Sequence, residues 1–275
     1  MTLSLCSFAS GSSGNCYLVK TENTAVLIDA GLSSKTILRE LDRSETAREN
    51  VVGVFVTHEH WDHTTGLRVL LKRLSAAKIF ASGGTIAELD RKADGGRFSF
   101  ASEIAKDRRS VLFVDGDVRV GDMTVQAFSI SHDAREPLAF TVRAQGKEIA
   151  IVTDTGIITD DILYRISDAD ILVLESNHDV DMLRNGTYPA ILKRRILGEE
   201  GHLSNAQASR ALVRLFEINP KRRVVLLAHL SSENNEPIIA EQTVLTALAQ
   251  VGIYTGKDLY LGVLLRDTAS LLYSA

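Results

Sequence analysis

A chain of 275 residues with 45% apolar and 24% charged residues can build a sizeable core and does not need disulfides to hold it. The net charge of −4 counts against a general basic field that would coat nucleic acid. Two cysteines, Cys6 and Cys16, make no disulfide framework; both are expected to be small buried hydrophobes in a reducing compartment.

The first fifteen residues lack a basic stretch followed by a long apolar one, so they do not read as a signal peptide. No apolar run nears the roughly 20 residues that cross a bilayer. The expectation is a cytoplasmic protein without a membrane partner, and one domain over residues 1–275. Strands are predicted at 3–8, 16–20 and 25–29, separated by Gly/Ser/Asn turns such as Gly11-Ser12-Ser13-Gly14-Asn15. A helix follows from Ser33, a candidate N-cap, with Ile37, Leu38 and Leu41 on one face. Residues 51–57 read as a buried strand that runs into a histidine cluster. Leu67, Leu70, Leu71 and Leu74 then recur at helical spacing. Strands are predicted at 111–114, 118–120 and 123–131. A hairpin is expected over 138–143 and 148–153, turning at Gln145-Gly146, and another strand at 170–174. Helices at 205–216 and 237–250 alternate with strands at 223–228, 259–263 and 270–273. Two sheets with interspersed helices imply an α/β (α+β) sandwich with helices outside.

The run Thr57-His58-Glu59-His60-Trp61-Asp62-His63 holds three of the seven histidines and follows an apolar strand. Loops at strand ends display ligands. Two imidazoles two residues apart can share one cation, and the Asp-His pair after them can serve a second; this donor set suits zinc, manganese or iron.

That run resembles the H-x-H-x-D-H signature of the metallo-β-lactamase superfamily. Further stretches match in the family's order: Asp29-Ala30-Gly31, Ser131-His132-Asp133, Thr153-Asp154-Thr155-Gly156 and Ala228-His229-Leu230-Ser231. The resemblance covers nearly the whole chain and implies a four-layer αββα sandwich with two divalent metal ions, zinc or manganese. It assigns His58, His60 and His132 to one metal, and Asp62, His63 and His229 to the other. Asp154 would bridge them with a water or hydroxide opposite, and Asp29 would orient the signature loop. An Asp at the bridging position, where lactam-hydrolysing relatives often carry Cys, favours a carboxylate-bridged pair as in phosphodiesterases. Such a pair, about 3.5–4 Å apart, lowers a water's pKa and stabilises both oxygens of an in-line displacement.

The substrate is not fixed by fold. The stretches Glu175-Ser176-Asn177-His178-Asp179 and Gly201-His202-Leu203-Ser204-Asn205 are similar to motifs of ribonuclease Z and the β-CASP nucleases. Together with Ser10-Gly11-Ser12-Ser13-Gly14-Asn15 and Gly186-Thr187-Tyr188-Pro189, they most resemble the YycJ/WalJ type of bacterial exonucleases. That likeness implies a phosphodiesterase or nuclease acting 5′ to 3′ on DNA rather than RNA, linked to DNA repair. The catalytic groups would be Asp62, with His202 as general acid and Glu175 as its partner. His178 is expected at the surface. Between Asp154 and His229 there is no room for a full β-CASP domain and no obvious tRNA-clamping arm, so grip on DNA is expected from the clusters Lys193-Arg194-Arg195 and Lys221-Arg222-Arg223. A small-molecule metallohydrolase acting on a cyclic phosphodiester, lactone or thioester is the alternative. The oligomeric state stays open.

Overall fold

The computed structural model describes residues 2–94 and 104–275. The chain opens with β1 (Ser4–Ala9), β2 (Cys16–Lys20) and β3 (Ala25–Ile28), paired antiparallel and buried on both faces. Helix α1 (Ser34–Arg43) begins where the Ser33 hydroxyl accepts the Thr36 N–H at 3.1 Å, and it buries Ile37 and Leu41. Strand β4 (Val51–Phe55), helices α2 (Trp61–Thr64) and α3 (Leu67–Arg73), strand β5 (Lys78–Ala81), helix α4 (Gly83–Asp94) and strand β6 (Arg109–Val111) follow. Strands β3 to β6 pair in parallel.

The second half supplies β7 (Asp117–Val120), β8 (Met123–Ser129), β9 (Leu138–Ala144) and β10 (Lys147–Val152). Next come α5 (Asp160–Arg165), β11 (Ile171–Glu175), α6 (Val180–Asn185), α7 (Ala190–Ile196) and α8 (Asn205–Ile218). Strand β12 (Arg223–Ala228), helix α9 (Pro237–Gln250) and strands β13 (Leu259–Val263) and β14 (Tyr273–Ser274) complete it. Among the described residues the strands form two seven-stranded sheets, ordered β14-β1-β2-β3-β4-β5-β6 and β13-β12-β11-β10-β9-β8-β7. The β9–β10 hairpin turns at Gln145 (φ 56°) and Gly146 (φ 74°), the left-handed pair that a two-residue hairpin needs.

Alternation within β3 shows the layering. Val26 and Ile28 join Phe55, Phe140, Ile151 and Val173 in a core between the sheets. Ala25 and Leu27 face outward, against Ile37, Leu41 and Leu70 of the helices. The outer face of the second sheet packs Ala150 and Leu172 against Leu212, Leu215 and Val244. The order is therefore helix, sheet, sheet, helix, as expected from the sequence. Cys6 and Cys16 are buried free thiols. Among the described residues no helix is long and apolar enough to cross a membrane.

The predicted strand at 111–114 is displaced. Strand β6 ends at Val111, Phe113 is 76% exposed, and the chain turns where the Gly116 N–H meets the Phe113 carbonyl at 3.1 Å. An apolar run on an edge strand looks like a buried one in sequence. Strand β8 stops at Ser129, two residues short of its predicted end, as the chain leaves the sheet toward His132.

Phe55 ties the sandwich together. Its ring stacks on Phe80 at 4.4 Å and meets Phe140 of the opposite sheet edge-on at 5.7 Å. Truncating such a buried aromatic removes both its transfer energy and its packing. Phe55→Ala should cost about 3–5 kcal/mol in denaturant unfolding. A cost below about 1 kcal/mol would show that the two sheets do not depend on this contact.

Candidate metal centre

The residues singled out by the sequence follow the C-terminal ends of strands at one edge of the sandwich. Asp29 follows β3, the histidine run follows β4, His132 follows β8, Asp154 follows β10, Glu175 ends β11 and His229 follows β12. Asp29, Asp154 and His229 have φ of 62°, 58° and 57°, a region that non-glycine residues enter at a cost of about 1–3 kcal/mol. Three such residues at one edge mark where the backbone is forced to turn so that side chains converge.

Asp29 organises the signature loop. Its carboxylate is fully buried and accepts from the Thr57 N–H at 2.8 Å, the Thr57 hydroxyl at 2.9 Å and His63 Nδ1 at 2.7 Å. Backbone contacts close the loop: Asn15 N–H to the Asp62 carbonyl at 2.7 Å, and Ala30 N–H to the His63 carbonyl at 2.8 Å. A Cβ on Gly31 would fall 1.6 Å from the Asp62 carbonyl oxygen, so only glycine lets the loop approach this closely.

The histidines then meet in pairs. His58 Nε2 lies 3.0 Å from His60 Nδ1. That is about the separation of two nitrogens sharing a cation at about 2.0–2.1 Å. With His132 they form one group of donor atoms lying within 4.8 Å of one another; Asp62, His63 and His229 form a second, and Asp154 joins His58 and His63 in a third. Asp154 Oδ2 is 3.4 Å from His63 Nε2, and its Oδ1 is 3.9 Å from His132 Nε2. All seven residues named as metal ligands are thus brought together, and Asp154 stands between the two triads. Four of the imidazoles use one ring nitrogen outside the cluster: His58 Nδ1 on Thr57, His63 Nδ1 on Asp29, His132 Nδ1 on the Gly201 carbonyl and His229 Nδ1 on Glu175. Such contacts aim the second nitrogen inward. Asp154 Oδ2 and His229 Nε2 are buried without a hydrogen-bond partner. Divalent cations would satisfy these orphaned atoms, so the donors fit the metals that the fold implies.

The protonation balance has the same origin. Burial, with His63, His132 and His60 close by, pushes the His58 pKa well down, and burial also lowers that of His132. Burial opposes charge on His63 and His229, but Asp154 with Asp29 outweighs it for His63. Asp154, Asp62 and Glu175 push His229 up to about 10. Burial would raise Asp62, yet the His229 and His63 imidazoles beside it hold it far below the usual carboxylate range.

Glu175 is also fully buried. Its Oε1 lies 2.8 Å from both His202 Nδ1 and His229 Nδ1, and its Oε2 accepts from the Thr155 N–H at 2.9 Å and the Leu203 N–H at 3.2 Å. Both oxygens are engaged in orienting neighbours, and Glu175 also lies within 4.8 Å of donor atoms of Asp154, His202 and His229. Burial favours its neutral form, but His202 and His229 overcome this and keep it ionised. The His202 side chain is one-fifth exposed and lines a cavity of about 180 Å³ with Ser12, Tyr188, Arg195, Gly201 and Ser231.

Two expectations need correction. His178 is fully buried, not at the surface, because the loop after β11 tucks under α8, where its carbonyl accepts the Asn205 N–H at 2.9 Å. Burial pushes its pKa down to about 4. The basic clusters do not form one surface. Lys221 pairs with Asp170 at 3.1 Å, and Arg223 is buried with its guanidinium 5.3 Å from the Phe216 ring. Both lie at the start of β12, roughly 20 Å along the strand from His229. In the other cluster, Lys193 caps the Arg184 and Gly186 carbonyls at 2.7 Å, Arg194 is exposed, and Arg195 pairs with Asp133 on the cavity rim. Only this second cluster stands near the site.

Sequence reading missed Ser10 and Asn15. The Ser10 hydroxyl accepts the His229 N–H at 2.8 Å, and the Asn15 amide lies 3.1 Å from His63 Nε2. Their turn was legible, but its partners lie 48 and 219 residues away.

A family model of the β-lactamase superfamily domain matches residues 24–230. The chain is 36% identical over 250 residues to the exodeoxyribonuclease YycJ of Bacillus anthracis, covering 90% of each chain. It is 32% identical over 262 residues to the exodeoxyribonuclease WalJ of Streptococcus pneumoniae serotype 2, covering 95% of this chain and 94% of that one. The metallo-β-lactamase fold protein YhfI of Bacillus subtilis superposes with a TM-score of 0.69 at 14% identity, covering 99% of this chain and all of the other, a likeness of fold.

Asp29→Ala would orphan the Thr57 N–H and His63 Nδ1 together. It should destabilise the protein by roughly 1–3 kcal/mol for each buried group left unpaired. Urea unfolding in chelator isolates this loss from any cation. An unchanged midpoint would show that Asp29 does not hold the loop.

Proposed function

This chain belongs to the β-lactamase superfamily, in the group that holds the YycJ and WalJ exodeoxyribonucleases, and from that footing we propose that it is a metal-dependent DNA exonuclease working 5′ to 3′. The observation that carries the reading is His202, a histidine outside the two ligand triads. A buried carboxylate holds it at 2.8 Å, and it faces the cavity beside the cluster. At about 180 Å³ the cavity is smaller than the roughly 300–1,000 Å³ of a site that encloses a whole small ligand. It therefore takes only part of a substrate whose remainder lies outside, as a polymer's would. The printed names of the two relatives supply DNA as the polymer.

In this reading His58, His60 and His132 hold one cation, Asp62, His63 and His229 hold the other, and Asp154 serves both. Zinc and manganese suit the imidazole and carboxylate donors. When bound, the pair supplies an acidified water and positive charge against the phosphate oxygens. The protein's own groups do the rest. As the water oxygen bonds to phosphorus, the bond to the leaving sugar oxygen breaks. That oxygen is a poor leaving group until it is protonated. Glu175 accepts from His202 Nδ1 and fixes the ring, which leaves Nε2 to deliver the proton. Asp62, ionised, orients the water. Because Glu175 also holds His229, it links the proton donor to a cation ligand.

His202→Ala should keep its cations and lose about 10²–10⁴-fold in rate on DNA. Its loss on bis(p-nitrophenyl) phosphate should be far smaller, since nitrophenolate leaves unprotonated. Equal losses on both substrates would make His202 a phosphate-binding or structural residue. Glu175→Gln should lose rate and also release metal, about 10–100-fold in affinity. Duplexes blocked at one end fix the direction: a 5′ block should stop digestion and a 3′ block should not. The opposite pattern would reverse the assigned polarity.

A further inference from the structure

The chain has one tryptophan, Trp61, and it is 63% exposed. Single exposed apolar residues are common and need no function. The position of this one sets it apart. It is the first residue of α2, directly between His60 and Asp62. Asp62 and His63 turn inward and are buried, while Trp61 faces out. Helical Cα–Cβ bonds tilt toward the N-terminal end, here toward the half-buried His60. Trp61 is thus an exposed aromatic held in the backbone directly between two residues of the cluster, His60 and Asp62.

The rings of His60, His132 and His202 follow one another across the cluster, and Trp61 adjoins His60 in the chain whereas the cavity adjoins His202. The His60 ring is 5.1 Å from His132, and His132 is 5.1 Å from His202. The cavity lies beyond His202 and is lined by Tyr188 and Arg195, not by Trp61. A phosphodiester over the cluster has one neighbouring nucleotide on each side, and the one on the His60 side would pass close to Trp61, the exposed next residue. The surroundings of the ring are polar: Thr65 is exposed and Thr64 half-buried. The Arg135 N–H donates to the Glu59 carboxylate of the same loop at 3.0 Å, and its guanidinium reaches Glu88 at 3.7 Å. A membrane or an apolar protein partner would need a contiguous apolar patch. A lone flat ring with polar sequence neighbours suits instead an unpaired base, which offers a π-face and brings its own phosphate.

Resting on the nuclease reading above, we propose that Trp61 is a stacking platform for an unpaired nucleobase next to the scissile phosphate. Bases inside a duplex are covered by their neighbours, so the platform selects single-stranded or frayed ends. It is indifferent to sequence, because every base has a π-face.

As the only tryptophan, Trp61 reports on itself by its emission. The holoenzyme is titrated with a phosphorothioate-linked oligothymidine and with an abasic strand of the same length and linkage. The thymidine strand should change Trp61 emission and bind more tightly than the abasic one. Trp61→Ala should weaken thymidine-strand binding by about 5- to 150-fold, the range base stacking supplies, and erase the preference over the abasic strand. Trp61→Phe should retain most of that preference. Binding with unchanged emission, or a preference that survives in Trp61→Ala, overturns the platform while leaving the nuclease reading intact. A wild-type protein that neither binds nor cleaves any strand overturns both.

Discussion

Four carboxylates, those of Asp29, Asp62, Asp154 and Glu175, sit at one edge of the sandwich, none more than 9% exposed. The basic side chains paired with them within 4 Å among the described residues are imidazoles, not lysine or arginine. Burying an ion costs several kcal/mol unless opposite charge and hydrogen bonds compensate it. Protons on His63 and His229 supply part of that compensation, which is why Asp154 and its neighbours raise both imidazoles. Cations in their place would supply it more fully and would also meet the unpartnered Asp154 Oδ2 and His229 Nε2. The architecture can be read as the scaffold for this concentration of negative charge.

The two sheets solve the positioning problem in the same way. Each places one fully buried carboxylate after or at the end of a central strand, Asp29 beyond β3 and Glu175 on β11. Each carboxylate holds a histidine Nδ1 at 2.7–2.8 Å, so that Nε2 faces the cluster. Asp29 spends its other contacts on Thr57 and thereby fixes the signature loop. Glu175 spends one on His202, which binds the proposed proton donor to the same carboxylate as a cation ligand. Geometry and proton transfer are therefore not separable at Glu175, whereas at Asp29 only geometry is at stake.

Much of this was legible in the sequence because the signals are local. Apolar runs marked β2, β4, β9, β10 and β12, the Ser33 cap marked α1, and Pro237 marked the start of α9. The histidine run announced its own chemistry. Strand β5 and helices α4 to α7 escaped notice because they are short or only weakly patterned, so that their burial is decided by what packs on them. Ser10, Asn15 and the buried state of His178 were hidden for a related reason: their partners are distant in sequence. The basic run 221–223 misled because charge shows in sequence while its sequestration by Asp170 and Phe216 does not.

In the proposed function the strand-end carboxylates hold a pair of cations with Asp154 between them. Crystals soaked in manganese, with anomalous scattering recorded at the metal's edge, test it directly. Two peaks are expected, one against His58, His60 and His132 and one against Asp62, His63 and His229, both in contact with Asp154. A single peak, or a cation held by Glu175 and His202, would contradict it.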